Sequence, residues 1–205
     1  MNKYKVGDKV AVLFKVSEQD ELLSLASATV VEVMGELTLK RIGNTMADPL
    51  PYNEELMMPL GENFVVPEGI YNLIDLRHTN VKSVDCSNCQ TGTWKLSNNP
   101  ELEKIIWPTV ELGFVYVNDT KITGLHGISV LSMSCDLKNL RLGVPKVRDV
   151  LAVPDVSGIL WLLASGCKRL RISAVVINNT SQTVFRNKLA LINSGRKEMA
   201  WIERG

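Results

Sequence analysis

Between residues 3 and 44 the chain reads as short β-strands separated by turns, and this segment limits the fold more than any other. Lys3-Tyr4-Lys5-Val6 runs into a Gly7-Asp8 turn, after which Val10, Val12 and Phe14 alternate with Lys9, Ala11 and Leu13. Thr29, Val30, Val31 and Val33 form a second β-branched run, and Met34-Gly35-Glu36 reads as a tight turn into Leu37, Leu39 and Ile42. Period-two alternation sends successive side chains to opposite faces of a strand. Three short strands joined this closely begin a small, strongly bent barrel. Ser17 to Ala26, between the first two runs, is either a helical turn capped by Ser17 or a polar loop.

These residues resemble the start of an SH3-like barrel of the KOW and Tudor type. The resemblance covers residues 3–44 and implies a module that grips nucleic acid or peptide with aromatic and basic side chains on strand edges and loops. Tyr4, Lys5, Lys9, Phe14, Lys40 and Arg41 are the residues it points to, with Tyr52 nearby. The Ser17 to Ala26 insertion is long for that type and there is no four-aromatic cage, so the resemblance does not extend to methyl-lysine reading. No catalytic residue comes with it.

After Asn44 the alternation stops. Ala47-Asp48-Pro49-Leu50-Pro51-Tyr52-Asn53, followed by Pro59, Gly61 and Pro67, reads as a proline-punctuated connector, which divides the chain into a barrel over 1–45, a connector over 46–68 and a body over 69–205. In the body, residues 69–76 alternate as a strand. Asn99-Pro100-Glu101 opens a predicted helix that runs to Trp107 and is stopped by Pro108. Leu112 to Val117 and Ile128 to Met133 are predicted strands, with a turn at Asn118-Asp119. Asp155 to Ser165 is the best helical pattern, with Val156, Ile159, Leu160 and Leu163 at helical spacing and Gly166 placed to stop it. Leu170 to Ile177, Thr183 to Ile192 and Glu198 to Ile202 alternate again as a predicted antiparallel meander. No tandem repeat stands out, and the whole reads as an α+β body behind a small barrel.

Apolar residues make up 45% of the 205 residues, enough for a packed core. No run reaches the roughly 18 apolar residues of a membrane span, and the N-terminus carries no apolar leader. The expectation is a cytoplasmic protein with no membrane partner. Formal charge is +1, but residues 138–205 hold twelve Lys or Arg against four Asp or Glu. That third is therefore +8 and residues 1–137 are −7. A basic C-terminal face containing Arg141, Lys168, Arg169, Arg171 and Arg186 can meet phosphates, an acidic protein surface, or the acidic part of another copy. Together with Lys5, Lys9, Lys40 and Arg41 these form the candidate nucleic-acid contacts.

Cys86-Ser87-Asn88-Cys89 is the one motif with a chemical spacing, since two intervening residues let both thiolates turn toward one metal. A structural zinc needs four ligands, and no second such pair exists. His78 and His126 complete a Cys₂His₂ set only if the fold brings them there, and Cys135 or Cys167 can substitute in the same way. His126, between Gly124-Leu125 and Gly127, is also placed where an imidazole can serve as acid or base, though it has no evident partner. No nucleophile elbow, phosphate-binding glycine loop, dinucleotide fingerprint or His-Glu-x-x-His is present. The functional expectation is a non-enzymatic binding protein that contacts nucleic acid through its basic third. Two alternatives stand beside it: an interaction or assembly factor, such as a viral accessory or particle protein, and a zinc enzyme built on Cys86, Cys89, His78 and His126.

Overall fold

A computed structural model of the chain describes residues 2–17, 19–42, 49–125, 128–136, 139, 146–148, 150–153, 169–172 and 201–204. The chain divides into two compact units, Met1–Pro108 and Thr109–Gly205.

The first unit begins as its alternation predicts. Strands β1 (Lys9–Phe14), β2 (Leu23–Val33) and β3 (Glu36–Arg41) pair antiparallel, and β5 (Met57–Pro59) joins the free side of β1. The two-residue strand β4 (Leu50–Pro51) pairs with β3. Val33 stands opposite Glu36, so Met34 and Gly35 make a two-residue hairpin turn with φ of 53° and 86°. Positive φ at both positions is the mirror-image turn whose twist matches the flanking strands. Upstream, the Gly7-Asp8 turn is tied to β2 by Gly7 N–H to Val30 O and Val30 N–H to Asp8 O. Tyr4, Val10, Val12, Ala28, Val30, Leu39 and Met57 pack as one core on the inner face. Ser17 and Asp20 bond to each other, Ser17 N–H to the Asp20 carboxylate and Asp20 N–H to Ser17 O.

Strand β2 does not end the sheet. Its first residues pair in parallel with β7 (Gly69–Asp75), which pairs in parallel on its other side with β9 (Cys89–Thr91) and β10 (Thr93–Lys95). Strands β6 (Asn63–Val65), β8 (Ser83–Asp85) and β11 (Lys104–Ile106) form a second, wholly parallel sheet. The chain thus passes from one sheet to the other and back, returning to the same register after about twenty residues, as a solenoid does. Stacking puts like on like: Leu25, Ile74 and Trp94 share one buried row, and the buried Phe64 and Val84 share another with the half-buried Ile105.

The second unit continues in the same style. Strands β12 (Leu112–Tyr116), β13 (Ser129–Ser134), β15 (Val150–Val153), β16 (Arg169–Ile172) and β17 (Trp201–Arg204) lie side by side, all parallel, and the short β14 (Lys146–Val147) pairs with the start of β13.

The corners that end the strands repeat a device. His78, Asn98 and Asp119 each hold a left-handed backbone, with φ of 57°, 55° and 54°. Each is followed by a fully buried polar residue: Thr79, Asn99 and Thr120. Asn and Asp tolerate that backbone because their short polar side chains bond locally, and His is among the residues found there. Thr79 Oγ1 donates to Leu76 O and Thr120 Oγ1 to Val117 O, which satisfies carbonyls left over where each strand stops. Asn99 goes further: its Nδ2 donates to Leu76 O at 2.7 Å and Leu96 O at 2.9 Å, while its Oδ1 accepts from Thr79 N at 2.6 Å and, 3.0 Å from Thr79 Oγ1, is the alternative acceptor for that single hydroxyl proton. In the second unit Asn139 Nδ2 bonds Ile122 O and Thr120 Oγ1. One buried amide thereby joins two successive coils.

The α+β expectation is corrected. The described residues contain no α-helix, and the arrangement is a β-solenoid-like stack rather than an SH3-like barrel ahead of an α+β body. Alternation marks a strand but not its direction, so parallel neighbours twenty residues away look like antiparallel ones nearby. The predicted helix over 100–107 fails for a specific reason. Asn99, at its start, is bonded to Thr79 and to Leu76 in the preceding coil, and Lys104–Ile106 pair in register with Ser83–Asp85. The antiparallel meander is likewise corrected where it is described, since β16 and β17 pair directly with each other, where a meander would set its middle strand between them. The helix expected over 155–165 lies outside the described residues. No helix among the described residues is long and apolar enough to cross a membrane.

Candidate binding surface

On β12 Val115 is buried between Phe114 and Tyr116, which are exposed at 46% and 38%, while Leu112, on the same side as the two rings, is buried at the start of the strand. Parallel register extends these positions into rows. Tyr116 stands beside Ser134, then Ala152, Arg171 and Glu203. Phe114 stands beside Ser132, and the neighbouring strands carry Val150, Arg169 and Trp201 in mutual register. Between the two lies the apolar row of Val115, Met133, Leu151, Leu170 and Ile202. The register therefore places two exposed rings on one strand, a buried Ser132 and a half-buried Ser134 on the next, and arginine positions beyond. Arg148 and Glu111 form an exposed ion pair of 3.3 Å at the flank.

The equivalent row of the first unit is occupied from within. Ala26, Asp75 and Lys95 are in register, and Asp75 is 8% exposed because Arg77 closes on it with two bonds of 2.8 and 2.7 Å. That bond raises the Arg77 pKa further. Nothing there resembles the two free rings of β12.

The basic residues singled out in the sequence fall into three groups. Lys9 and Lys40 share a register row through Thr29, and both are exposed, as is Lys5. Arg41 is half-buried, its guanidinium 5.0 Å from the centre of the Phe14 ring. Arg169 and Arg171 lie on β16. Arg141, Lys168 and Arg186 lie outside the described residues. The aromatic residues expected to form a binding face near the N-terminus are instead packed: Tyr4 is 7% exposed with its hydroxyl bonded to Met57 O, Phe14 is 7% exposed, and the Tyr52 hydroxyl donates to Glu54.

Among the described residues no three His, Cys, Asp or Glu side chains gather as a metal site. His78 is the left-handed residue of its corner, and its Nε2 lies 3.2 Å from Nδ2 of Asn98, its counterpart one coil later. His126 and Cys167 lie outside the described residues. Cys86 and Cys89 are fully buried at either end of a turn, with Cys89 N–H and Sγ both directed to Cys86 O at 3.2 and 3.4 Å. The hydrogen bond between the two thiols raises the Cys86 pKa, and burial raises it further; the same bond lowers that of Cys89. Burial pushes the Cys135 thiol up to about 12.

Sequence reading missed Phe114 and Tyr116 as surface residues, although their alternation with Val115 was the available signal. What it lacked was the register that puts arginine positions in line with them. No family model, curated protein or solved structure matches the chain.

Proposed function

We propose that this is a non-enzymatic binding protein whose second unit recognises a polypeptide partner across the open rows of its parallel sheet. One observation carries the reading: two large rings, Phe114 and Tyr116, stay exposed at alternate positions of a strand whose rows lead to Arg169 and Arg171. Aromatic and arginine side chains supply most of the energy at protein interfaces. Stacked coils offer an extended, rigid platform on which to hold them. Glu203 stands beside Arg171 in the register, so the row positions carry both signs of charge. Mixed charge suits a polypeptide with acidic side chains better than a uniformly negative phosphate backbone.

Fluorescence anisotropy with a labelled peptide alternating Glu and Leu, and in parallel with labelled oligothymidylate, tests the reading at low and moderate salt. The expected result is peptide binding that weakens about fivefold or more in Phe114→Ala and Tyr116→Ala, the effect of losing more than about 1 kcal/mol at an interface hot spot. Both side chains are exposed, so the far-ultraviolet signal should not change. Binding of oligothymidylate alone, with a steep salt dependence, would restore the nucleic-acid reading in place of this one. Binding of neither probe overturns it.

A further inference from the structure

We propose that Cys86 and Cys89 are a reversible dithiol–disulfide pair that staples the corner between β8 and β9. The corner is a four-residue turn closed by Cys89 N–H to Cys86 O at 3.2 Å. Such a turn holds its end Cα atoms within about 7 Å, and disulfides form at Cα separations of about 4.4–6.8 Å. The backbone has thus brought the pair to closing distance before any oxidation. Cys89 Sγ is folded back toward residue 86, 3.4 Å from its carbonyl oxygen, rather than turned away. Ser87 and Asn88 at the tip are exposed, so opening two residues admits an oxidant without unwinding the coil. The turn is held from below by Ser87 N–H to the Asp85 carboxylate at 2.9 Å.

Glutathione disulfide supplies a balanced reaction. The Cys89 thiolate attacks one glutathione sulfur, the glutathione S–S bond breaks, and one glutathione leaves as thiolate. Cys86, once deprotonated, attacks Cys89 Sγ and expels the second. The two protein thiols lose two protons and two electrons, and one glutathione disulfide becomes two glutathione thiols.

The test uses the full chain, reduced and then equilibrated in glutathione buffers of increasing oxidised fraction, quenched in acid, alkylated in denaturant and mapped by peptide mass spectrometry. The expected result is loss of both alkylatable thiols from the peptide holding Cys86 and Cys89, reversed by dithiothreitol, with Cys135 alkylated as a free thiol throughout. Cys86→Ser should instead trap a mixed disulfide at Cys89. Thermal unfolding of the oxidised wild type should move up by a few degrees, as short-loop closure implies. Three outcomes overturn the proposal: both thiols still free at the most oxidising ratio, a glutathione adduct on wild-type Cys89 that never closes, or oxidation that begins only as the β-sheet signal is lost. These readings come from the wild type, so a Cys86→Ser chain that fails to fold leaves the test intact.

Discussion

The N-terminal strands and the coils that follow build a sheet in opposite ways. In β1 to β3 each strand pairs with its sequence neighbour, and a two-residue turn fixes the register. In the coils from β6 to β11 each strand pairs with one about twenty residues away, and no single turn fixes anything. Register there is held from inside, by apolar rows and by buried Thr and Asn side chains that tie one corner to the next. Local pairing can be altered at its turns with modest effect; stacked pairing depends on a few buried residues that each serve two coils.

Trp94 should therefore be the most damaging truncation. It is fully buried in the row of Leu25 and Ile74, and it meets Trp107 edge to face at 5.7 Å. Trp94→Ala is expected to cost about 4 kcal/mol by chemical denaturation. Trp94→Phe should cost much less, because the indole N–H is buried with no hydrogen-bond partner to lose. Equal losses would mean that the row is not the packed core described.

Asn99→Ala comes next, at about 3 kcal/mol. It orphans the Thr79 N–H and removes the amide donor from Leu76 O and Leu96 O. The informative readout is hydrogen exchange at the Thr79 amide, which should accelerate at least as much as global stability falls. Unchanged protection there would sever the proposed link between coils.

The hairpin responds in the other direction. Met34 is fully exposed and left-handed, a backbone that Asn adopts more readily in this turn. Met34→Asn should stabilise by about 0.5 kcal/mol, seen as a small rise in the denaturation midpoint with no change in slope.

The smallest effect concerns the N-terminal tether. The Glu54 carboxylate accepts from Lys3 N–H at 2.6 Å and from the Tyr52 hydroxyl at 2.8 Å, and these bonds, the first above all, hold its pKa below the ordinary value. A carboxyl so lowered stabilises the fold above its unfolded pKa and loses that contribution as pH falls through the folded one. The Lys3 to Lys5 segment should loosen below about pH 4, followed by nuclear magnetic resonance shifts of Lys3 and Tyr52. Glu54→Gln should show the loosened shifts at neutral pH.

The same contrast explains what could be read in advance. The Gly7-Asp8 turn, the Met34-Gly35 hairpin and the strands over 69–76 and 112–117 were legible because each is encoded within a few residues. The coil repeat was not. Its apolar positions vary from Ile74 and Leu76 to Trp94 and Leu96 to Val115 and Val117, and its polar corner residue alternates between Thr and Asn. Only their common geometry shows them to be equivalent. The open face of β12 was hidden for the same reason: Phe114 and Tyr116 are visible in the sequence, but the positions beside them on the sheet are not.

Engineered cross-linking tests the stacking most directly. Ile70 and Gln90 are both exposed and stand opposite each other on β7 and β9. The double substitution Ile70→Cys with Gln90→Cys should form an intramolecular disulfide, identified by peptide mapping apart from the native thiols. A control pair, Asn72→Cys with Gln90→Cys, is displaced by two residues along the strand, which takes its Cα atoms beyond the roughly 7 Å limit for bridging, and should remain reduced. Cross-linking of the first pair and not the second is the result that stacked parallel coils predict. Cross-linking of the control in preference to Ile70 and Gln90, or of neither, would contradict them.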